Sequence, residues 1–481
     1  MFVVNFLKIT SILLSIVGAL FLIPLSVAFA YGESAVYLSF IIPMLVSIAF
    51  VLAVNIPTRR IKFSMSTRQT FVIVALAWIA ASLMGTIPLY FSGSFASYSD
   101  ALFESFSGFS TTGATVLVDI ESLPRSVNVW RCLTHWIGGM GIVTLTVALM
   151  PLLGVGGFQL IKAETTGPEK GKVTARITTT AKVLWLMYIG LTVLEAVLLR
   201  LAGMDFVDAM AHSFATLGTG GFSTRNASIG SYDSVAIDVI CTVFMFLSGI
   251  NFSIYYYLIA RKFKDVAANS ELKAYFGIVI VFILGLTISL RPVYHSFAKC
   301  LRYSSFQIVS LLTTTGFSTA DFMKWPSSAQ FWLLLTYFIG GCSGSTSGGI
   351  KVVRWVILHK QVQNETQRML HPHGVFTVRL NDRVGRKDIV FSVAAFMTVY
   401  FFLVALTTWV GCLGNLDLWS AFTGALSMVG NVGPGFGALG PAENFSFLPN
   451  FVKYFYCFAM LAGRLELYTM LIVFMPAFWK K

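Results

Sequence analysis

The chain has 481 residues, of which 56% are hydrophobic and only 11% charged, and its mean hydropathy is +0.77. A soluble globular protein is nearer a quarter charged, so this chain has too few charges to cover a surface facing water. The composition points to a polytopic membrane protein and away from a cytosolic enzyme or a disordered scaffold. The formal charge of +13 would suit a nucleic-acid binder only if the basic residues were not explained by membrane topology.

Apolar stretches long enough to cross about 30 Å of hydrocarbon as helices lie at about 9–31, 35–55, 70–91, 129–153, 182–202, 235–260, 272–291, 328–359, 388–412 and 450–478. Ala28-Phe29-Ala30 resembles a signal-peptidase site. The apolar run before it exceeds the roughly 7–15 residues of a signal h-region, so it reads as an uncleaved first span. Ten crossings put both termini on one side. Placing Lys8, the segments after spans two, four, six and eight, and the C-terminus inside puts 24 of the 34 Lys and Arg there with seven acids. Nine basic and thirteen acidic residues fall outside, and Arg464 and Glu466 lie in the last span. The positive-inside rule thus accounts for the charge without nucleic acid. Both termini are expected in the cytoplasm, and the acidic outer side favours cations.

Shorter apolar segments at about 100–112, 208–218, 302–315 and 419–430 follow spans three, five, seven and nine. None is long enough to cross. They are expected to be re-entrant half-helices, because irregular backbone at membrane depth must line protein or water. The four align without gaps: DALFESFSGFSTTG from Asp100 to Gly113, DAMAHSFATLGTGG from Asp208 to Gly221, YSSFQIVSLLTTTG from Tyr303 to Gly316, and SAFTGALSMVGNVG from Ser420 to Gly433. Thr111, Thr219, Thr314 and Asn431 each stand two residues before the final glycine. In the spans that follow, Trp136-Ile137-Gly138-Gly139 echoes Phe338-Ile339-Gly340-Gly341, and Ser248-Gly249 echoes Ala462-Gly463. This is a fourfold internal repeat of helix, half-helix, glycine-ended loop and helix.

A half-helix that stops inside the membrane leaves its last carbonyls unpaired, with the negative end of the helix dipole beside them. Glycine beyond it permits dihedrals that turn carbonyls toward a common axis. Four such ends around one axis make rings of carbonyl oxygens able to replace a monovalent cation's hydration shell. The competing reading is that the glycines serve only close helix packing; four in register, each before a full span, favour the ring.

These motifs resemble the four filters of the Trk/Ktr/HKT potassium transporter superfamily, and the two extra N-terminal spans resemble its bacterial TrkH/TrkG branch. The resemblance implies an all-α membrane protein with one pore of four pseudo-symmetric repeats. Residues 1–68 would hold two N-terminal helices, and the repeats would span 69–181, 182–271, 272–387 and 388–481. It implies potassium uptake across the bacterial inner membrane by a homodimer in the lipid bilayer. A cytosolic TrkA-type regulatory subunit, expected to bind nucleotides, would control it. This chain would hold no cofactor, only potassium as substrate, and no catalytic side chain. Carried over by position, the filter is Thr111-Thr112-Gly113, Thr219-Gly220-Gly221, Thr314-Thr315-Gly316 and Asn431-Val432-Gly433. In the family, glycine at the position of Gly113 goes with potassium and serine with sodium. Gly220 doubles the second glycine and leaves two registers open, and Pro434 stands where two other repeats have Phe. The rival functions are the same pore passing sodium or ammonium, and an integral-membrane lipid-linked transferase, which would need converging carboxylates or histidines.

Within span eight, the run from Gly340 to Gly349 has too much glycine and hydroxyl for a lipid-facing helix. The reading is a movable gate loop built on Gly340, Gly341, Gly344, Gly348 and Gly349; the alternative is helix packing through Gly344 and Gly348. Arg464 is expected midway along span ten, below the filter and touching that loop, or else in an ion pair with Glu466. Asp100 and Asp208 are expected to cap their half-helices, with cation attraction as the secondary reading. Glu104 is either a buried carboxylate or part of the outer mouth. The six scattered cysteines read as small hydrophobes in helices, His371-Pro372-His373 as a cytosolic turn, and the stretch from Lys351 to Lys387 as positive-inside charge or a docking face. Gly167 to Lys172 falls short of a phosphate-binding loop by its spacing.

Overall fold

The computed structural model describes residues 2–59, 61, 67–141, 177–380, 383–384 and 389–479. The regular structure of these residues is helical, apart from a two-residue antiparallel pairing of Arg379–Leu380 with Arg383–Val384. The run from Gly167 to Lys172 and the inner end of expected span four lie outside the described residues.

Among the described residues, six apolar helices are long enough to cross a membrane: Val3–Tyr31, Ser34–Thr58, Phe71–Phe91, Ala181–Leu201, Ser270–Tyr294 and Ile389–Leu413. The first two precede the repeats and pack beside the helix Thr67–Phe91. Each repeat opens on a 25-residue entry helix: Thr67–Phe91, Ile177–Leu201, Ser270–Tyr294 and Ile389–Leu413. At 1.5 Å per residue this is about 37 Å, enough to span with some tilt. A half-helix follows each: Tyr98–Phe109, Phe206–Leu217, Phe297–Leu312 and Leu418–Gly430. These have 12, 12, 16 and 13 residues, about 18–24 Å, too short to cross.

The four return helices carry breaks: the second corrects the expectation of an unbroken span six, whereas the third and fourth break in spans eight and ten, where glycine and charge already interrupt the apolar run. They run Arg125–Gly139, Val235–Ser248, Ser327–Thr336 and Asn450–Arg464, and each stops at the matching glycine-rich position or just before it. The second bends by 93° into Phe252–Ile259, and the fourth by 117° into Tyr468–Phe474. The third gives way to non-helical backbone until Val352–Leu370 begins. The reason is space. A Cβ on Gly138 would lie 1.9 Å from the Phe109 carbonyl oxygen, and one on Gly463 2.1 Å from that of Val429. The glycines that hydropathy reads as part of a continuous span are where the half-helix ends press in. Arg464 consequently ends its helix instead of standing midway along it.

Candidate functional site

The four half-helices end alike. Thr111, Thr219, Thr314 and Asn431 take left-handed φ values of 57°, 53°, 57° and 56°. The next residue's N–H reaches back five residues: Thr112 to the Ser107 carbonyl, Gly220 to Ala215, Thr315 to Ser310 and Val432 to Ser427, at 2.8–3.0 Å. This is a Schellman-type cap, in which glycine is usual at the left-handed position. A β-branched threonine there is strained by about 1–3 kcal/mol. The third residue is in every case the signature glycine, with φ of 81°, 78°, 83° and 104° at Gly113, Gly221, Gly316 and Gly433. The shared backbone fixes the second register: Gly220 corresponds to Thr112, Thr315 and Val432, and Gly221 is the ring glycine.

The four glycines close a cycle. A Cβ on Gly113 would lie 1.9 Å from the Gly220 carbonyl oxygen, one on Gly221 2.1 Å from that of Thr315, one on Gly316 2.2 Å from that of Val432, and one on Gly433 2.8 Å from that of Thr112. Each segment's glycine therefore abuts the carbonyl of the next, first to second, third, fourth and back. No side chain fits at any of the four, and the positive φ disfavours one independently. All four glycines line one cavity of about 130 Å³, together with Arg131, Arg225, Asn226 and Glu443.

Side chains of the half-helices brace the backbone just outside the ring. Glu104, His212 and Gln307 occupy the same repeat position. Glu104 accepts from Thr115 Oγ1 and the Val116 N–H, His212 Nε2 bonds Ser223 Oγ at 2.9 Å, and Gln307 accepts from the Thr319 N–H at 3.3 Å. Glu104 is thus a buried, hydrogen-bonded carboxylate. Its ion partner is Arg131 at 2.6 Å, both side chains fully buried. Arg131 also donates to the Ser223 carbonyl and lies over the Phe222 ring, so it ties the loops after the first and second half-helices together.

The outer ends of neighbouring repeats are joined by ion pairs: Arg125–Asp205 at 3.2 Å, Arg302–Asp238 at 2.7 Å and Lys453–Asp100 at 2.7 Å. These correct the capping expectation. The first and second half-helices are capped by Ser97 and Asp205. Asp100 and Asp208 stand in the first turn, where Asp100 binds Lys453 and Asp208 binds Arg225, Thr224 and Tyr232. In the outer loop the Asn226 side chain holds the Asp119 carboxyl below its usual range.

The glycine-rich loop packs against the third and fourth caps. The segment from Gly340 to Gly349 is not helical, and Gly344 has a φ of 73°, so Gly344 and Gly348 are not a helix-packing pair. The Gly348 N–H donates to Thr314 Oγ1 at 2.6 Å, and a Cβ on Gly348 would lie 2.5 Å from the Gly430 carbonyl oxygen. Gly340 donates to the Ile350 carbonyl, closing the loop's base. Gly341 leaves room for the Ser347 hydroxyl, 2.5 Å from where its Cβ would be. Cys342, in this loop and not in a helix, donates to the Gly249 carbonyl at the break of the second return helix. Glu271 receives the N–H groups of Ser343 and Val353, gripping both ends of the loop. Lys351 is buried and donates to the Ser347 carbonyl.

Arg464 joins three repeats. Its guanidinium donates to the Thr346 carbonyl in the loop at 2.7 Å and to the Gly138 and Gly139 carbonyls at 2.6 and 2.7 Å. Glu466 forms a 2.6 Å pair with Arg354 on the helix that follows the loop. The sequence reading foresaw the contact of Arg464 with the loop. It passed over Arg131, Glu271 and His135, a fully buried ring between the first and second filters. A charge or imidazole within an apolar run was the available signal for Arg131 and His135; Glu271, at a span's inner edge, offered none. His371 to His373 falls in a turn.

The family model for TrkH, described as a cation transport protein, matches residues 38–288 and 293–481. The chain is 40% identical over 430 residues to the Trk system potassium uptake protein TrkH of Escherichia coli K12, covering 88% of this chain and 89% of that one. It is 38% identical over 486 residues to the protein of the same name from Halomonas elongata, with 99% of each covered. It resembles the crystal structure of the potassium transporter TrkH from Vibrio parahaemolyticus with a TM-score of 0.87 and 34% identity over the whole of both chains. The chain belongs to the TrkH family of cation transport proteins.

Proposed function

We propose that this protein is the translocating subunit of a Trk-type potassium uptake system and that potassium passes through the ring closed by Gly113, Gly221, Gly316 and Gly433. The observation that carries this reading is the cyclic contact of each glycine with the carbonyl of the next filter. A ring that tight leaves backbone carbonyls as the groups able to face an ion. The ligands on this reading are carbonyls of Thr111, Thr112, Thr219, Gly220, Thr314, Thr315, Asn431, Val432 and the four ring glycines. The loop from Gly340 to Gly349, held by Arg464 and Glu271, is the gate. The repeats divide at about 69, 182, 272 and 388 along the sequence. The protein works as a homodimer in the bacterial inner membrane with both termini in the cytoplasm. A cytosolic, nucleotide-binding TrkA-type regulator moves the gate from that side. The relatives' printed names support the Trk-type potassium assignment, and the chain's charge distribution supports the cytoplasmic placement of the termini.

The test is rubidium uptake into proteoliposomes, with and without the regulator, in competition with unlabelled potassium, sodium and ammonium. Potassium is expected to compete best. Equal competition by sodium or ammonium would overturn the assignment of the ion and leave the pore standing.

A further inference from the structure

The second filter differs from the others at one position. Directly before the ring glycine, the first, third and fourth carry buried side chains, Thr112, Thr315 and Val432. The second carries Gly220, whose φ is outside the left-handed range, so conformation does not demand glycine there. Space does. A Cβ on Gly220 would lie 2.1 Å from Cγ, 2.3 Å from Nδ1 and 2.4 Å from Cδ2 of His135. The imidazole comes from the first repeat and covers the back of the second filter.

His135 is itself tightly held. It is fully buried, and its Nδ1 bonds the Gly108 carbonyl at 2.8 Å. A carbonyl only accepts, so this nitrogen carries the hydrogen. The ring packs against Phe222 with centroids 4.1 Å apart. The same helix presses on the filter on either side: a Cβ on Gly218 would lie 2.5 Å from the His135 carbonyl oxygen, and one on Gly139 2.6 Å from the Gly218 Cα. The Gly220 carbonyl that this ring backs is the one that meets Gly113 to close the cycle between the first two filters.

We propose that His135 is a positioning residue for the ion path: its imidazole supplies from the first repeat the side chain that the second filter lacks, and so sets the Gly220 carbonyl against Gly113. This rests on the filter reading above. Without the ring, Gly220 is a glycine with ordinary dihedrals and no backing, free to turn its carbonyl away. Selectivity then suffers before transport does.

The experiment compares His135→Ala, Gly220→Ala, the double variant and Gly113→Ala in proteoliposomes, reading rubidium and sodium uptake separately, with folding checked by size exclusion. His135→Ala alone is expected to lower the rubidium-to-sodium uptake ratio. Gly220→Ala places a methyl inside the imidazole and is expected to lose uptake or folded protein. Adding His135→Ala removes the obstacle and should recover at least about fivefold of either, as expected for residues in direct contact. An unchanged ratio in His135→Ala, or a double variant no better than Gly220→Ala, overturns the proposal. Gly113→Ala separates it from the filter reading, because its methyl meets a backbone carbonyl that no side-chain change can clear. Normal transport by Gly113→Ala would sink the filter itself. A defective Gly113→Ala beside uncoupled His135 and Gly220 would sink the role of His135 alone.

Discussion

Replacing Arg464 by alanine should raise ion flux in the absence of the regulator. The guanidinium donates to the Thr346 carbonyl in the loop and to the Gly138 and Gly139 carbonyls at the end of the first return helix. It therefore ties the loop to a part of the protein packed against a half-helix end. A hydrogen bond to a charged group contributes about 1.5–3 kcal/mol. Losing the Thr346 bond alone shifts the balance between seated and displaced loop by about 10- to 150-fold. The loop keeps its bonds to Glu271, Thr314 and the second return helix, so the low end of that range is expected. Arg464→Lys retains the charge but cannot reach Thr346 and both glycine carbonyls together; its flux should fall between wild type and alanine. The assay is rubidium uptake at matched protein amounts, with dimer content checked by size exclusion. A folded alanine variant with flux at or below wild type would refute the reasoning and leave Arg464 a structural strut.

Three further outcomes follow from the same contacts. Deleting about half of the run from Gly340 to Gly349 should raise basal flux and weaken control by the regulator, and a fall in flux with folding and dimerisation intact would place the gate elsewhere. Glu104→Gln leaves Arg131 buried without its counter-charge and should cost about 3–5 kcal/mol, read as a lowered unfolding temperature of the detergent-solubilised protein; an unchanged transition contradicts it. Thr314→Val removes the acceptor for the Gly348 N–H and should loosen the loop by about 1–3 kcal/mol, seen as faster basal rubidium uptake. Unaltered uptake would show that this bond does not restrain the loop.

The architecture was legible because membrane spans, charge asymmetry and a gapless fourfold repeat are all written along the chain. The half-helices begin and end within a few residues of where apolar length and glycine placed them, the third starting earliest, at Phe297. Hydropathy failed at the return helices. Gly138, Gly249 and Gly463 are small and apolar enough to read as span, yet each faces a carbonyl or a tyrosine hydroxyl at a distance that leaves no room for a Cβ. That requirement is set by a partner distant in sequence, so no local window contains it. The capping assignment failed for a related reason: Asp100 and Asp208 sit in the first turn of their helices, and only the fold reveals that Lys453 and Arg225 approach them. The doubled glycine at Gly220 and Gly221 was ambiguous as sequence, because the ring that explains Gly220 belongs to another repeat. The conserved geometry of Thr111, Thr219, Thr314 and Asn431 was visible as a position but not as a conformation, since threonine is an unusual choice for a left-handed cap.

The central claim, that four carbonyl-backed glycines select the ion, is tested most directly by the rubidium-to-sodium uptake ratio of Gly113→Ser, Gly221→Ser, Gly316→Ser and Gly433→Ser in proteoliposomes. Each serine would drive its Cβ to within 2.8 Å or less of a neighbouring filter's carbonyl oxygen. The ratio should fall in every variant that still transports, with Gly113→Ser shifted toward sodium. Wild-type ratios in all four correctly folded variants would contradict the account.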